Sequence, residues 1–362
     1  MWTAYLYTFK TTPEAMADLT KFDINGAANP HNNIFGLPFT EEDARLIIFP
    51  VPWEVTVSYG AGTARSSEHI LKASLQIDLF DPDIPDGWKD GFFQRPINPK
   101  VLLKSDFLRK EAELYIDFVS KQEEVNANAF MCKSLKDINE GSAFLNKWVY
   151  EQTLDLLQKG KLVALLGGDH STPLGYWRAI AEVHESFGIL QIDAHCDLRP
   201  AYEGFIYSHA SITYNGLEQI PGIQRIVQVG VRDYSQNEWD YICNSNYRVI
   251  PYFDRNIKTR LYEGETWRDI CDDIIEKLPQ KVYISFDIDG LDPKLCPNTG
   301  TPVHGGLESQ QVNYLFRRIV ASGRKIIGFD LVEVGVSESG WDANVAAREL
   351  WHMCNLMISS NS

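Results

Sequence analysis

The 362-residue chain has no apolar run approaching the ~20 residues that span a bilayer. Its opening, MWTAYLYTFKTTPEAMADLTK, has no basic segment leading into a long apolar one, so neither membrane insertion nor export is expected. The six cysteines, Cys132, Cys196, Cys243, Cys271, Cys296 and Cys354, form no C-x-x-C pair. That argues against a disulfide framework and a zinc knuckle, and fits a reducing cytoplasm. Positive charge is also scarce: 34 Lys and Arg face 49 Asp and Glu, a net charge of -15. The basic footprint of a nucleic-acid binder is therefore missing, whereas a small cationic substrate would be attracted over long range. No internal repeat or low-complexity tract stands out.

What the chain does have is apolar residues, 44% of the total, enough for a substantial core. Runs rich in β-branched residues at 44–52, 161–168, 187–195, 224–232, 247–253, 281–289 and 324–334 predict buried strands. Helical patterns lie among them at 146–160, 173–186, 266–279 and 308–323, the last stopping at Gly323. Alternating strand and helix predicts an α/β fold, a mostly parallel sheet covered by helices, with ligands beyond the carboxyl ends of the strands. We expect one domain over 1–362, with an extension at 1–43. A Pro-, Gly- and Asp-rich start marks 78–145 as an insertion, and the polar part from Lys133 is expected to be helical.

Three strand ends carry clustered acids and imidazoles: GGDHS with His170, DAHCD with Asp193, His195 and Asp197, and SFDIDGLDP with Asp287 and Asp289. In a strand, alternate side chains share a face at roughly 6.5–7 Å intervals, so each cluster would point one way. A lone aspartate after a strand is usually a cap or turn former. Several together repel one another unless a cation neutralises them, which predicts a pair of divalent ions with one carboxylate from each pair shared. Four carboxylates and two imidazoles without thiolate suit manganese best, leave nickel, cobalt or iron open, and disfavour zinc. Cys196 should face away as a packed thiol. The DIDG and DPDIPDG stretches lack the glycine and glutamate spacing of a calcium loop.

Taken as a set, the three motifs resemble the metal signature of the ureohydrolase family, which includes arginase and agmatinase, from about Ile47 to Leu350. The resemblance implies a three-layer α/β/α sandwich and usually two manganese ions. By it, His170, Asp193, Asp197 and Asp287 would hold one ion and Asp193, His195, Asp287 and Asp289 the other. It further implies that water shared by the ions attacks a guanidinium carbon, with Asp197 orienting that water. His209, in YSHAS, would pass a proton to the departing amine, and Glu333, in GFDLVEVG, would anchor the guanidinium. Asp330 and Asp292 receive no role.

The arginase-type serine and asparagine motif after DAH is absent, and DLRPAYEGFIYSHAS looks agmatinase-like. Agmatine, cleaved to urea and putrescine as in polyamine metabolism, is the leading expectation. Guanidine or guanidinobutyrate remains open, and arginine is less favoured. Trp53, Tyr59, Tyr207 and Trp341 are candidates for closing the mouth. A single-zinc deacetylase-like enzyme and a non-catalytic metal-binding protein are the alternatives from other classes. The resemblance also implies a homo-oligomer, trimeric or hexameric.

Overall fold

The computed structural model describes residues 19–362; residues 1–18 of the expected extension lie outside the described residues. The chain runs β1 (Leu46–Val51), α1 (Ser66–Ser74), β2 (Phe92–Gln94), α2 (Pro99–Ser120), α3 (Ala129–Gln158), β3 (Leu162–Gly167), α4 (Leu174–Val183), β4 (Phe187–Ile192), α5 (Ile212–Gln219), β5 (Ile223–Val229), α6 (Gln236–Asn244), β6 (Val249–Tyr252), α7 (Asp254–Tyr262), α8 (Trp267–Lys277), β7 (Lys281–Asp287), α9 (Ser309–Ala321), β8 (Lys325–Val332) and α10 (Trp341–Ser360). The strands form one sheet in the order β2-β1-β3-β8-β7-β4-β5-β6. Every pairing is parallel.

An all-parallel sheet needs cover on both faces, and the strand sequences reflect it. FGILQI of β4 and LIIFPV of β1 are buried at every position. One layer brings α1, α8, α9 and α10 together; the other is built from α2, α3, α4 and α5. This is the expected three-layer α/β/α arrangement.

Residues 78–145 join that framework directly. Phe92–Gln94 adds the edge strand beside β1, and Trp88, Leu108, Tyr115 and Ile138 enter the common core. Asn98 caps α2 by accepting from Lys100 N at 3.0 Å and Val101 N at 3.3 Å, with Pro99 in the first turn. Asn128 caps α3 in the same way. The helix expected at 146–160 is the second half of this longer α3.

The central strands β3, β8, β7 and β4 are neighbours. Their carboxyl ends therefore deliver the segments starting at Gly168, Glu333, Ile288 and Asp193 to one place.

Candidate metal centre

The six candidate groups converge, but not through strand alternation. β4 ends at Ile192 and β7 at Asp287, so Asp193, His195, Asp197 and Asp289 sit on turns. Asp197 adopts φ 54°, a left-handed conformation that aspartate tolerates better than most residues. Asp289 lies in a single 3-10 turn, Ile288–Gly290, in which its N–H donates to Asp287 Oδ1 at 2.8 Å. Its own Oδ1 accepts from Ala194 N at 2.9 Å and ties the two turns together.

His170 follows β3 through Gly168, where any Cβ would collide with the Trp53 backbone. The buried His170 Nδ1 lies 3.0 Å from Asp193 Oδ2, 3.0 Å from Asp197 Oδ2 and 3.3 Å from Asp287 Oδ2. His195 Nδ1 lies 3.5 Å from Asp193 Oδ1 and 3.1 Å from Asp289 Oδ2. Two groups able to hold a cation result, His170 with Asp193 and Asp197, and Asp193 with His195 and Asp289; ligand atoms within each group lie within 4.8 Å of one another. Asp193 belongs to both. Asp287 stands against the first through His170.

The electrostatics of this cluster are frustrated without a cation. Burial, then the charges of Asp289 and Asp193, push the Asp287 carboxyl well above its ordinary range. Burial and Asp193 raise Asp197 to about 6. Burial opposes a charged His170, yet the Asp193, Asp197 and Asp287 carboxylates beside it outweigh that cost and hold the ring well above its usual value. His170 Nδ1 and Asp289 Oδ2 are both buried without a hydrogen-bond partner. One orphaned atom in each candidate group, a nitrogen and an oxygen with no thiolate among their neighbours, fits divalent cations.

A buried chain of contacts sets the His170 ring. Sheet register places Ser285 of β7 beside Asp330 of β8. Ser285 Oγ donates to Asp330, 3.0 Å from both carboxylate oxygens, and lies 2.9 Å from His170 Nε2. With its proton directed to Asp330, Ser285 accepts from Nε2–H and leaves the Nδ1 lone pair free toward the aspartates. Asp330, left without a role on sequence grounds because it faces away from Glu333, is thus placed to orient the ring. A carboxylate in the middle of the apolar run KIIGFDLV was the available signal.

Glu333 follows β8 in a left-handed conformation, φ 58°, which is strained for a glutamate. Its Oε1 accepts from His170 N at 2.9 Å, and its Oε2 is buried without a partner. His209 Nδ1 lies 3.6 Å from Glu333 Oε1 and Nε2 lies 3.4 Å from Ser58 Oγ. Burial opposes the charged imidazole, but Glu333 outweighs it and raises His209. Sequence reasoning missed the support beneath His209, whose backbone N–H donates to Thr56 Oγ1 at 3.0 Å while Thr56 donates to the buried Asp169 at 3.2 Å. Asp292 caps its own turn, accepting from Lys294 N at 3.0 Å, and Cys196 packs in the core.

Above these groups opens a cavity of about 510 Å³, lined by His170, His195, Asp197, His209 and Asp287 at depth. Of the four aromatics expected at the mouth only Tyr59 lines it; Tyr202 and Tyr234 complete the wall instead. Trp53 is fully buried, Tyr207 packs partly against the core, and Trp341 donates to Lys294 O at 3.0 Å outside the cavity. Arg232 bridges floor and rim: its guanidinium donates to the carbonyls of Gly230, Asp289, Leu291 and Val303.

The sequence model of the arginase family matches residues 44–354. An N(1)-aminopropylagmatine ureohydrolase of Thermus thermophilus is 29% identical over 316 residues, covering 87% of this chain and 91% of its own. A guanidinobutyrase of Pseudomonas aeruginosa is 32% identical over 195 residues, 51% of this chain and 57% of its own. Among solved structures, the agmatine ureohydrolase of Thermoplasma volcanium superposes with a TM-score of 0.67 at 22% identity, covering 94% of this chain and 96% of that one. With the match running through every strand end that carries the clustered acids and imidazoles, the chain belongs to the arginase family.

Proposed function

We propose that this protein hydrolyses the guanidinium C–N bond of a small cationic guanidino compound, agmatine in the first instance, releasing urea and an amine. The observation that carries the reading is the pair of His and Asp groups sharing Asp193, buried but for the half-buried His195, together with a Glu333 whose Oε2 has no partner. His170, Asp193, Asp197 and Asp287 would hold one divalent ion and Asp193, His195, Asp287 and Asp289 the other, with manganese favoured by the mixed oxygen and nitrogen set and nickel the alternative. Two such ions would supply the missing positive charge and lower the pKa of bound water.

The remaining work falls to the chain's own side chains. Glu333 Oε2 pairs with the planar guanidinium and fixes its orientation. Asp197 accepts a hydrogen bond from the attacking water and aims its oxygen at the guanidinium carbon. As the C–N bond breaks, the departing nitrogen takes two protons, one from His209 and one from the former water's hydroxyl by way of Asp197, so that a neutral urea and an ammonium leave, and the proton the water lost on attack restores His209. Ser58, against His209 Nε2, keeps that proton path beside the cavity.

The agmatinase-like sequence around His209 supports agmatine, and the arginase-type head-group motif is missing. Six unpaired cysteines support a cytoplasmic setting, and the family resemblance supports a trimer or hexamer. Urea release from agmatine, guanidine, guanidinobutyrate and arginine, each with manganese and with nickel, tests the reading. The expected result is agmatine turnover with two ions per chain. One tightly bound zinc per chain, or no urea from any of the four, would refute it.

A further inference from the structure

We propose that the paired helices α2 and α3 position His209 for proton donation, with Asn139 and Arg109 as the positioning residues. The inference rests on the role given to His209 above and assigns a use to the 78–145 segment. Asn139, on α3, clasps the stretch that leads to His209: its amide nitrogen donates to Gly204 O at 3.2 Å and its carbonyl oxygen accepts from Ile206 N at 2.9 Å. Between those two contacts Phe205 is fully buried, its ring centre 5.3 Å from that of Tyr115 on α2. The clasped residues belong to a tight turn, Tyr202 to Phe205, closed by backbone bonds of 3.2 and 2.8 Å. Its central residues, Glu203 and Gly204, are both left-handed, and a Cβ on Gly204 would stand 3.1 Å from Leu135 of α3 and from Tyr115 Oη. Helix and turn thus meet without slack.

The other loop beside His209 is held by α2. Arg109, its side chain largely buried, donates from Nη1 to Val57 O and, at 3.4 Å, to Val55 O. The neighbours of those carbonyls touch the histidine: Thr56 Oγ1 accepts from His209 N at 3.0 Å, and Ser58 Oγ lies 3.4 Å from Nε2. From the opposite side Asn215 of α5 donates to Ile206 O at 2.9 Å. His209 therefore sits between two loops whose backbones are gripped by one helical pair. The Asn139 bonds lie at the surface, where water competes for both partners and a hydrogen bond adds little to global stability. Their effect falls on the loop. Only Ile206, Tyr207 and Ser208 separate the turn from His209, whose Nδ1 lies 3.6 Å from Glu333 Oε1, so a shift of the turn is passed to the imidazole. A reacting group misplaced by about 1 Å can cost roughly 100-fold in rate.

A double-mutant cycle tests this on the manganese-loaded enzyme, with urea release from the guanidino compound that wild type turns over fastest. Asn139→Ala and Asn139→Asp are each measured alone and combined with His209→Gln. Asn139→Ala should lower kcat by roughly 10- to 100-fold, with KM near the wild-type value, two ions still bound and an unchanged thermal melt. In the His209→Gln background the same substitution should cost almost nothing further, and Arg109→Gln should show the same dependence on His209. Asn139→Asp, which keeps the acceptor for Ile206 N–H, should lose less, and it carries the cycle where the alanine variant is not recovered folded. In the metal-free protein, amide hydrogen exchange should quicken at Ile206 and around His209 and stay slow in the sheet. An unchanged kcat or unchanged exchange in Asn139→Ala overturns the inference, as does a loss that repeats in full beside His209→Gln or is carried by KM or by lost metal. Absence of urea from every guanidino compound with wild type sinks the underlying reaction, and the inference with it, a result distinct from these.

Discussion

Replacing Asp330 by Asn isolates the contact chain that sets the His170 ring. Asn nearly preserves the volume of the side chain, and its carbonyl oxygen can keep the Phe286 N–H that Asp330 Oδ1 accepts at 3.2 Å. The amide nitrogen then occupies the Oδ2 position and donates to Ser285 Oγ, reversing the bond that Ser285 donates there now. Ser285 turns its own proton toward His170 Nε2, and the ring answers by protonating Nδ1. The lone pair aimed at Asp193, Asp197 and Asp287 is lost. A supporting contact of this kind is worth roughly 10- to 100-fold in metal affinity, or about 1.4 to 2.7 kcal/mol. Only one of the two candidate positions contains His170. Competition against a chelator should therefore find one ion weakened by that factor and the other nearly unaffected, with the far-UV spectrum of the wild type. Ser285→Ala should behave similarly. Two ions held at wild-type affinity, or an equal loss of both, would refute the account.

Other outcomes follow from the same geometry. Glu333→Gln should cut kcat/KM by roughly 100- to 1000-fold while the protein keeps two ions, measured by urea release and metal analysis, since the lost interaction is with the guanidinium. Chelation should lower thermal stability, and re-addition of metal at 1000 times its dissociation constant should return about 4 kcal/mol, read from denaturant melts with and without metal. Away from the site, burial raises Glu349 of α10 from 4.5 to about 7, against hydrogen bonds from Ser309 and Asn313. The folded chain then holds a proton that the unfolded chain has released, so stability should fall as pH rises from 4.5 to about 7, by roughly 3 kcal/mol in all. Glu349→Gln should remove that slope in denaturant melts at pH 5 and pH 8. Parallel pH dependence of the two proteins would contradict the assignment.

The central strands were legible because burial on both faces leaves an apolar run too dense to read otherwise; LVALLG and FGILQI predict their own boundaries to within a few residues. β2 was not, since three residues, Phe92–Gln94, carry no period. α2 was hidden by exposed apolar residues such as Leu103 and Phe107, which blur its hydrophobic stripe. The site's acids and imidazoles were legible as residue types clustered at three strand ends, and the structure brings them together. Their supports were not, because Ser285 meets Asp330 across 45 positions and Thr56 meets Asp169 across 113. Trp53 misled for a related reason: its backbone lies against Gly168, far along the chain, and its side chain is buried in the core.

Arg232 gives the fold a property beyond its local bonds. One guanidinium fastens the turn carrying Asp289 to the lip carrying Val303, so the floor and the lip cannot drift separately. Evolution could exchange the side chains along that lip to suit new tails, yet each exchange inherits the same rivet and with it the spacing from the ions. Selectivity is thereby free to vary in chemistry while reach stays fixed.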